Sequence, residues 1–172
     1  MKEYDLLELI ENKEKLQSKI KEYLKKQKLF KQKIDDEEIK GHLDKSLHNL
    51  KFILLVLDKE FYDWALTGCY YACYHAALAL IQTRGYTSKN HYATICVIIK
   101  EFYKKQITKQ DVELISNVLD YQDLLFYVQT KTKREQATYT TKTIFNKKEI
   151  EKLRIQTVLF VNKVQDIILI ND

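Results

Sequence analysis

Proline is absent from the 172 residues, and glycine occurs only at Gly41, Gly68 and Gly85. Sheet proteins use both residues repeatedly to turn the chain, so sandwiches and barrels are excluded and helices are expected. No uncharged apolar run reaches the ~18 residues that a membrane-spanning helix needs. The N-terminal MKEYDLLELIENKEK is charged where a signal peptide would carry its apolar core. A soluble, cytoplasmic protein with no membrane association is therefore expected. Cysteine is scarce and odd in number, with Cys69, Cys73 and Cys96 in apolar surroundings. That pattern suits small buried hydrophobes in a reducing compartment and not a disulfide framework. Cys69 and Cys73 share one helix face, but no second pair with ligand spacing follows, so neither a metal nor another cofactor is expected. Glycine-rich phosphate loops, G-x-S-x-G elbows and H-E-x-x-H helices are missing, and those enzyme classes lose their support.

What is present is a chain 45% hydrophobic, long enough for one domain with a real core plus decoration. The net charge of +5 is unevenly spread. Residues 11–33 hold nine Lys against three Glu, and residues 131–154 hold eight Lys and Arg against three Glu. Two basic segments of this kind suit a phosphate backbone, although a Lys-rich surface is also an ordinary solvated face.

Apolar residues Leu6, Leu9, Leu16, Ile20, Tyr23, Phe30 and Ile34 recur near heptad spacing, which predicts one long amphipathic helix, or two shorter ones, over 3–34. Lys13 and Gln27 interrupt the seam, so the segment is expected to pack on the domain or on a second copy. The acidic run Asp35–Glu38 favours a helix start, and a second helix over about 36–57 would bury Ile39, Leu43, Leu47, Leu50, Ile53, Leu54 and Leu57. The third, about 61–83, is apolar nearly all round, as the central helix of a bundle is, and Gly85 ends it. Ser88 is the candidate N-cap of a fourth helix over about 89–104. Thr108 with Asp111, and Asn146 with Glu149, resemble capping boxes that open helices over about 109–130 and 147–169. The basic, Thr-rich stretch 131–146 is the longest expected loop. The reading is an all-α, up-and-down bundle of four to five helices over 36–172, with a basic amphipathic N-terminal extension over 1–35.

Within the third helix, Tyr70, Tyr71, Ala72, Tyr74, His75, Ala76, Ala77, Ala79 and Leu80 spell YYAxYHAAxAL, and Gly85 then leads to Lys89-Asn90-His91. This resembles the signature of HEPN proteins, in which a YYAxFHAAxALL helix runs through a glycine turn into K-x-H. HLDKSLHNLKFILL at 42–55 is similar to the family's first helix, and Arg134-Glu135-Gln136-Ala137-Thr138-Tyr139 is similar to its R-x-x-A-D-Y motif, with Thr138 in place of Asp. Residues 37–170 are covered, while the basic segment 3–34 lies outside.

The resemblance implies a metal-independent endoribonuclease of toxin or defence type, working as a homodimer through an Arg followed by a His. Arg84 and His91, with six residues between them, fill those positions. The residue types suit the chemistry: histidine ordinarily titrates near neutrality and can move the 2′-hydroxyl proton, and a guanidinium can hold the phosphate as its charge builds. The products would be a 2′,3′-cyclic phosphate and a 5′-hydroxyl. Lys89, Asn90, Tyr71, Arg134 and Tyr139 are the candidate contacts to RNA or nucleotide. Each residue also has a plainer reading: Arg84 as a cation on a helix C-terminus, His91 as a polar first-turn residue, Tyr70, Tyr71 and Tyr74 as core or interface fillers, and His75 as a hydrogen-bonded structural histidine. In the alternative function the same surface binds nucleotide or RNA without catalysis and docks a small nucleotidyltransferase partner.

Overall fold

The computed structural model describes residues 3–118 and 146–170. Helices α1 (Glu3–Glu11) and α2 (Lys13–Lys25) come first, followed by a short strand β1 (Leu29–Lys31). The chain divides at Asn12, whose side chain accepts a hydrogen bond from the Lys15 amide and so caps α2. The expectation that helix continues to residue 34 is corrected beyond Lys25. Gln27 takes a left-handed φ of 52°, and β1 then pairs antiparallel with β2 (Tyr86–Ser88) in the register Leu29↔Ser88, Phe30↔Thr87, Lys31↔Tyr86. Ladder bonds to a distant strand outweigh the local heptad pattern here.

Helix α3 (Asp36–Asp58) opens on Asp35, whose carboxylate accepts from the Glu37 and Glu38 amides. Helix α4 (Tyr62–Gln82) folds back along it. Gly85 (φ 69°) completes the turn out of α4, its amide donating to the Gln82 carbonyl. A Cβ there would meet the Gln32 backbone oxygen at 3.0 Å, so both the backbone angle and the neighbouring strand favour glycine. Helix α5 (His91–Phe102) starts two residues later than the sequence suggests. Its N-cap is Asn90, which accepts from the Ala93 amide, while Ser88 ties β2 down by donating to the carbonyls of Lys28 and Asn90. Both expected capping boxes are present, with Thr108 and Asp111 opening α6 (described over 109–118) and Asn146 and Glu149 opening α7 (Lys147–Ile170). Asp111 also accepts from Lys163 at 2.6 Å, which joins α6 to α7.

α4 is the central element, packed against α3, α5, α7 and β2. Its Ala65, Leu66, Cys69, Ala72, Cys73, Ala76, Ala77 and Leu80 are wholly buried. Leu6, Leu9, Leu16, Ile20 and Leu29 join the same core, so the N-terminal segment packs on the bundle. The stripe expected on α3 is corrected at Leu54. That side chain is 56% exposed and lies with Leu55, Phe61 and Trp64 outside the core near the α3–α4 turn. No helix among the described residues is long and apolar enough to cross a membrane.

Candidate active site

The tyrosines of α4 and the start of α5 form one aromatic wall. Asn90 fixes the first turn of α5 and so places His91 against it. The His91 ring meets Tyr74 edge-on at 4.6 Å and Tyr70 at 5.5 Å, and its Nε2 shares a 3.0 Å hydrogen bond with the Tyr70 hydroxyl. His91 is half-buried, Tyr70 is buried, and Tyr71 is 42% exposed beside Tyr70.

Arg84 is elsewhere. It is exposed at the end of α4, with its guanidinium 5.1 Å from the centre of the Phe102 ring. Phe102 ends the helix that His91 begins, and at 1.5 Å per residue those ends are ~16 Å apart. β2, in extended form, and the residues flanking it connect Arg84 to His91. Within the single chain Arg84 and His91 therefore stand at opposite ends of α5. Lys89 is exposed with its ammonium 5.5 Å from the Phe30 ring. Asn90 spends its side-chain oxygen on the helix cap. Arg134 and Tyr139 lie outside the described residues.

No motif assigns His42 a role, yet it meets His75 across α3 and α4. Their Nδ1 atoms are 2.9 Å apart and their rings stack at 5.1 Å. His75 also stacks on Tyr71 at 6.3 Å and lies beside Tyr74, so the pair continues the wall that ends at His91. One Nδ1 must donate and the other accept, so the contact holds a single proton. Burial, then the neighbouring His42 and Lys45, lower the His75 pKa to about 4. Burial lowers His42 as well, against the opposing pull of Glu38. The unfolded chain therefore binds protons near the ordinary histidine pKa of about 6.5, where the folded pair resists them. Stability from this contact is present above that pH and is lost as pH falls towards 4. Urea midpoints should decline over that window, and His75→Gln should flatten the decline. Parallel curves for the two proteins would remove the His42–His75 contact from the explanation.

Burial pushes the thiols up, to about 11 for Cys69 and about 12 for Cys73 and Cys96. Among the described residues no group of three His, Cys, Asp or Glu side chains could hold a metal ion.

Comparison with known proteins bears on this wall and the helices around it. The HEPN domain model matches residues 39–161, from α3 into α7. The chain belongs to the HEPN family. A provisionally named toxin of Methanocaldococcus jannaschii is 29% identical over 106 residues, a stretch covering 59% of this chain and 71% of that protein. In this HEPN protein α1, α2 and β1 precede the family match, and β1 nevertheless pairs with the strand that connects Arg84 to His91.

Proposed function

We propose that this HEPN protein is a metal-independent endoribonuclease of toxin type. The observation that supports this best is the placement of His91 at the start of α5, its Nε2 held by the Tyr70 hydroxyl and its ring set edge-on against the tyrosine wall. The name of the M. jannaschii relative points the same way. In this reading Nε2 of His91 exchanges the Tyr70 hydroxyl for the 2′-hydroxyl and takes its proton as that oxygen closes on phosphorus. The bond from phosphorus to the 5′-oxygen then breaks, and the leaving oxygen takes up a proton, giving a 2′,3′-cyclic phosphate and a 5′-hydroxyl. Arg84 holds the phosphate oxygens. Because Arg84 and His91 stand at opposite ends of α5, we assign the Arg84 that serves a given His91 to the second copy of a homodimer. Lys89, Tyr71, Arg134 and Tyr139 would hold the flanking RNA, with Asn90 fixing the turn.

The same separation of Arg84 from His91 favours a second reading, in which the surface binds nucleotide or RNA without cutting it and docks a small nucleotidyltransferase. Incubating the purified protein with labelled RNA in excess chelator decides between them. Cleavage leaving cyclic phosphate is expected. RNA that is bound but intact across substrates and pH would exclude the nuclease.

A further inference from the structure

Two ammonium groups converge on one buried ring at the end of the β-ribbon nearest Arg84. Lys31, opposite Tyr86 in the register, has its Nζ 5.8 Å from the ring centre. Lys100, reaching across from α5, has its Nζ 5.4 Å from that centre and donates to the Tyr86 hydroxyl at 3.1 Å. Arg84 is two residues before Tyr86 in sequence and stacks on Phe102, two residues after Lys100. Two cations thus lie on the Tyr86 ring and a third on Phe102. Among the described residues the carboxylate reaching this group is Glu101, 2.6 Å from Lys100, and none reaches Lys31 or Arg84.

Lys100 is paired with Glu101, whereas Lys31 and Arg84 have no carboxylate within reach among the described residues, so an incoming anion can pair with them. The Tyr86 ring lies beside both ammonium groups and its hydroxyl accepts from Lys100, which limits their freedom and lowers the ordering cost of a phosphate contact. A phosphodiester chain fits better than a single small anion, because the cations come from a strand, the turn after α4 and a helix, two on one ring and the third on another.

We propose that Lys31 and Lys100 form a backbone-phosphate subsite for single-stranded RNA, adjoining the phosphate that Arg84 holds and built around Tyr86. The proposal rests on the ribonuclease reading for the identity of the polyanion. It also gives the N-terminal segment a role in binding, since β1 lies before the family match and brings Lys31 to the strand that leads to His91.

The test measures binding of fluorescent oligouridine to the full-length His91→Ala protein, in chelator, over a range of KCl concentrations. Each phosphate contact on a single strand contributes ~0.7 to the slope of log K against log salt, or about fivefold in affinity for each tenfold fall in salt. Lys31→Gln and Lys100→Gln should each remove one such increment, the double variant two, and Lys31→Arg should restore the first. Lys51→Gln, on the exposed side of α3, should change nothing. Thermal melting checks that Lys100→Gln still folds, and Lys31→Gln tests the subsite without disturbing the Tyr86 hydroxyl bond. An unchanged slope in the double variant, an absence of RNA binding, or a lysine-dependent response seen only with anionic lipid vesicles would overturn the subsite. If wild-type protein fails to cut RNA while the double variant loses its slope, the subsite stands and the nuclease reading falls. Cleavage that proceeds while the double variant binds RNA normally has the opposite meaning.

Discussion

His91→Ala is expected to slow RNA cleavage by roughly 10²- to 10⁴-fold, the usual contribution of one positioned proton-transfer group. That corresponds to about 3–5 kcal/mol of transition-state stabilisation. The fold should survive, because His91 lies in the first turn of α5 and its contacts with the Tyr70 and Tyr74 rings are each worth about 0.5–1.5 kcal/mol. The cap from Asn90 to the Ala93 amide remains in the variant. Single-turnover rates in chelator, set beside melting temperatures, separate lost chemistry from lost structure. Tyr70→Phe sharpens the comparison: it removes the 3.0 Å bond to Nε2 and keeps the ring, so it should lower the rate less than His91→Ala does and alter the pH profile. A wild-type rate from His91→Ala would end its assignment as the proton carrier.

The bundle was legible because its signals are local. The Asp35 cap, the two capping boxes and the Gly85 turn depend on residues within four positions of one another, and each appears where the pattern places it. The apolar circumference of α4 announces its central position for the same reason. The β-ribbon was illegible. LFK at 29–31 and YTS at 86–88 are too short to show alternation, and neither is a strand without the other. The start of α5 was hidden with the ribbon, since Ser88 and Asn90 are both good cap residues and it is the bonds of Ser88 to Lys28 and Asn90 that take it out of the cap position.

The site divides the same way. The motif Tyr70 to His91 was readable as a string, and it identified the residues of the wall. Whether Arg84 and His91 meet is a question of tertiary distance, which residue spacing cannot answer when an extended strand lies between them. His42 shows the converse. Nothing in the sequence links it to His75, yet the α3–α4 turn brings His42 to His75, Ser46 to the Ala72 carbonyl and Ile53 to Gly68 in one continuous antiparallel register.

That register makes Gly68→Leu the most damaging single change expected in the described structure. Gly68, Ala72 and His75 follow one face of α4, and that face lies on α3. A Cβ at position 68 would stand 2.6 Å from the Ile53 Cγ1 and 3.2 Å from the Phe52 Cδ1. Ile53 is wholly buried and cannot swing outward. Alanine would recover about 1 kcal/mol of helix propensity while overpacking costs about 1–3 kcal/mol, so a modest net loss is expected for Gly68→Ala. Leucine adds three more carbons at the same point. It should force the helices apart at a cost above ~3 kcal/mol, a large part of the roughly 5–15 kcal/mol that holds a domain together. Gly41, inside α3, has nothing within 4 Å of its would-be Cβ, so Gly41→Ala should instead stabilise by about 1 kcal/mol. Urea unfolding of the three variants checks the signs together. Adding Ile53→Ala to Gly68→Leu should cost less than the two changes measured separately, by about 0.5–3 kcal/mol, because the alanine vacates the space the leucine needs. Simple additivity would mean that the contact at Ile53 is not what makes glycine necessary. Prising α4 from α3 should also part His42 from His75, so in any Gly68→Leu protein that still folds, the fall of stability with acid should shrink along with the stability itself.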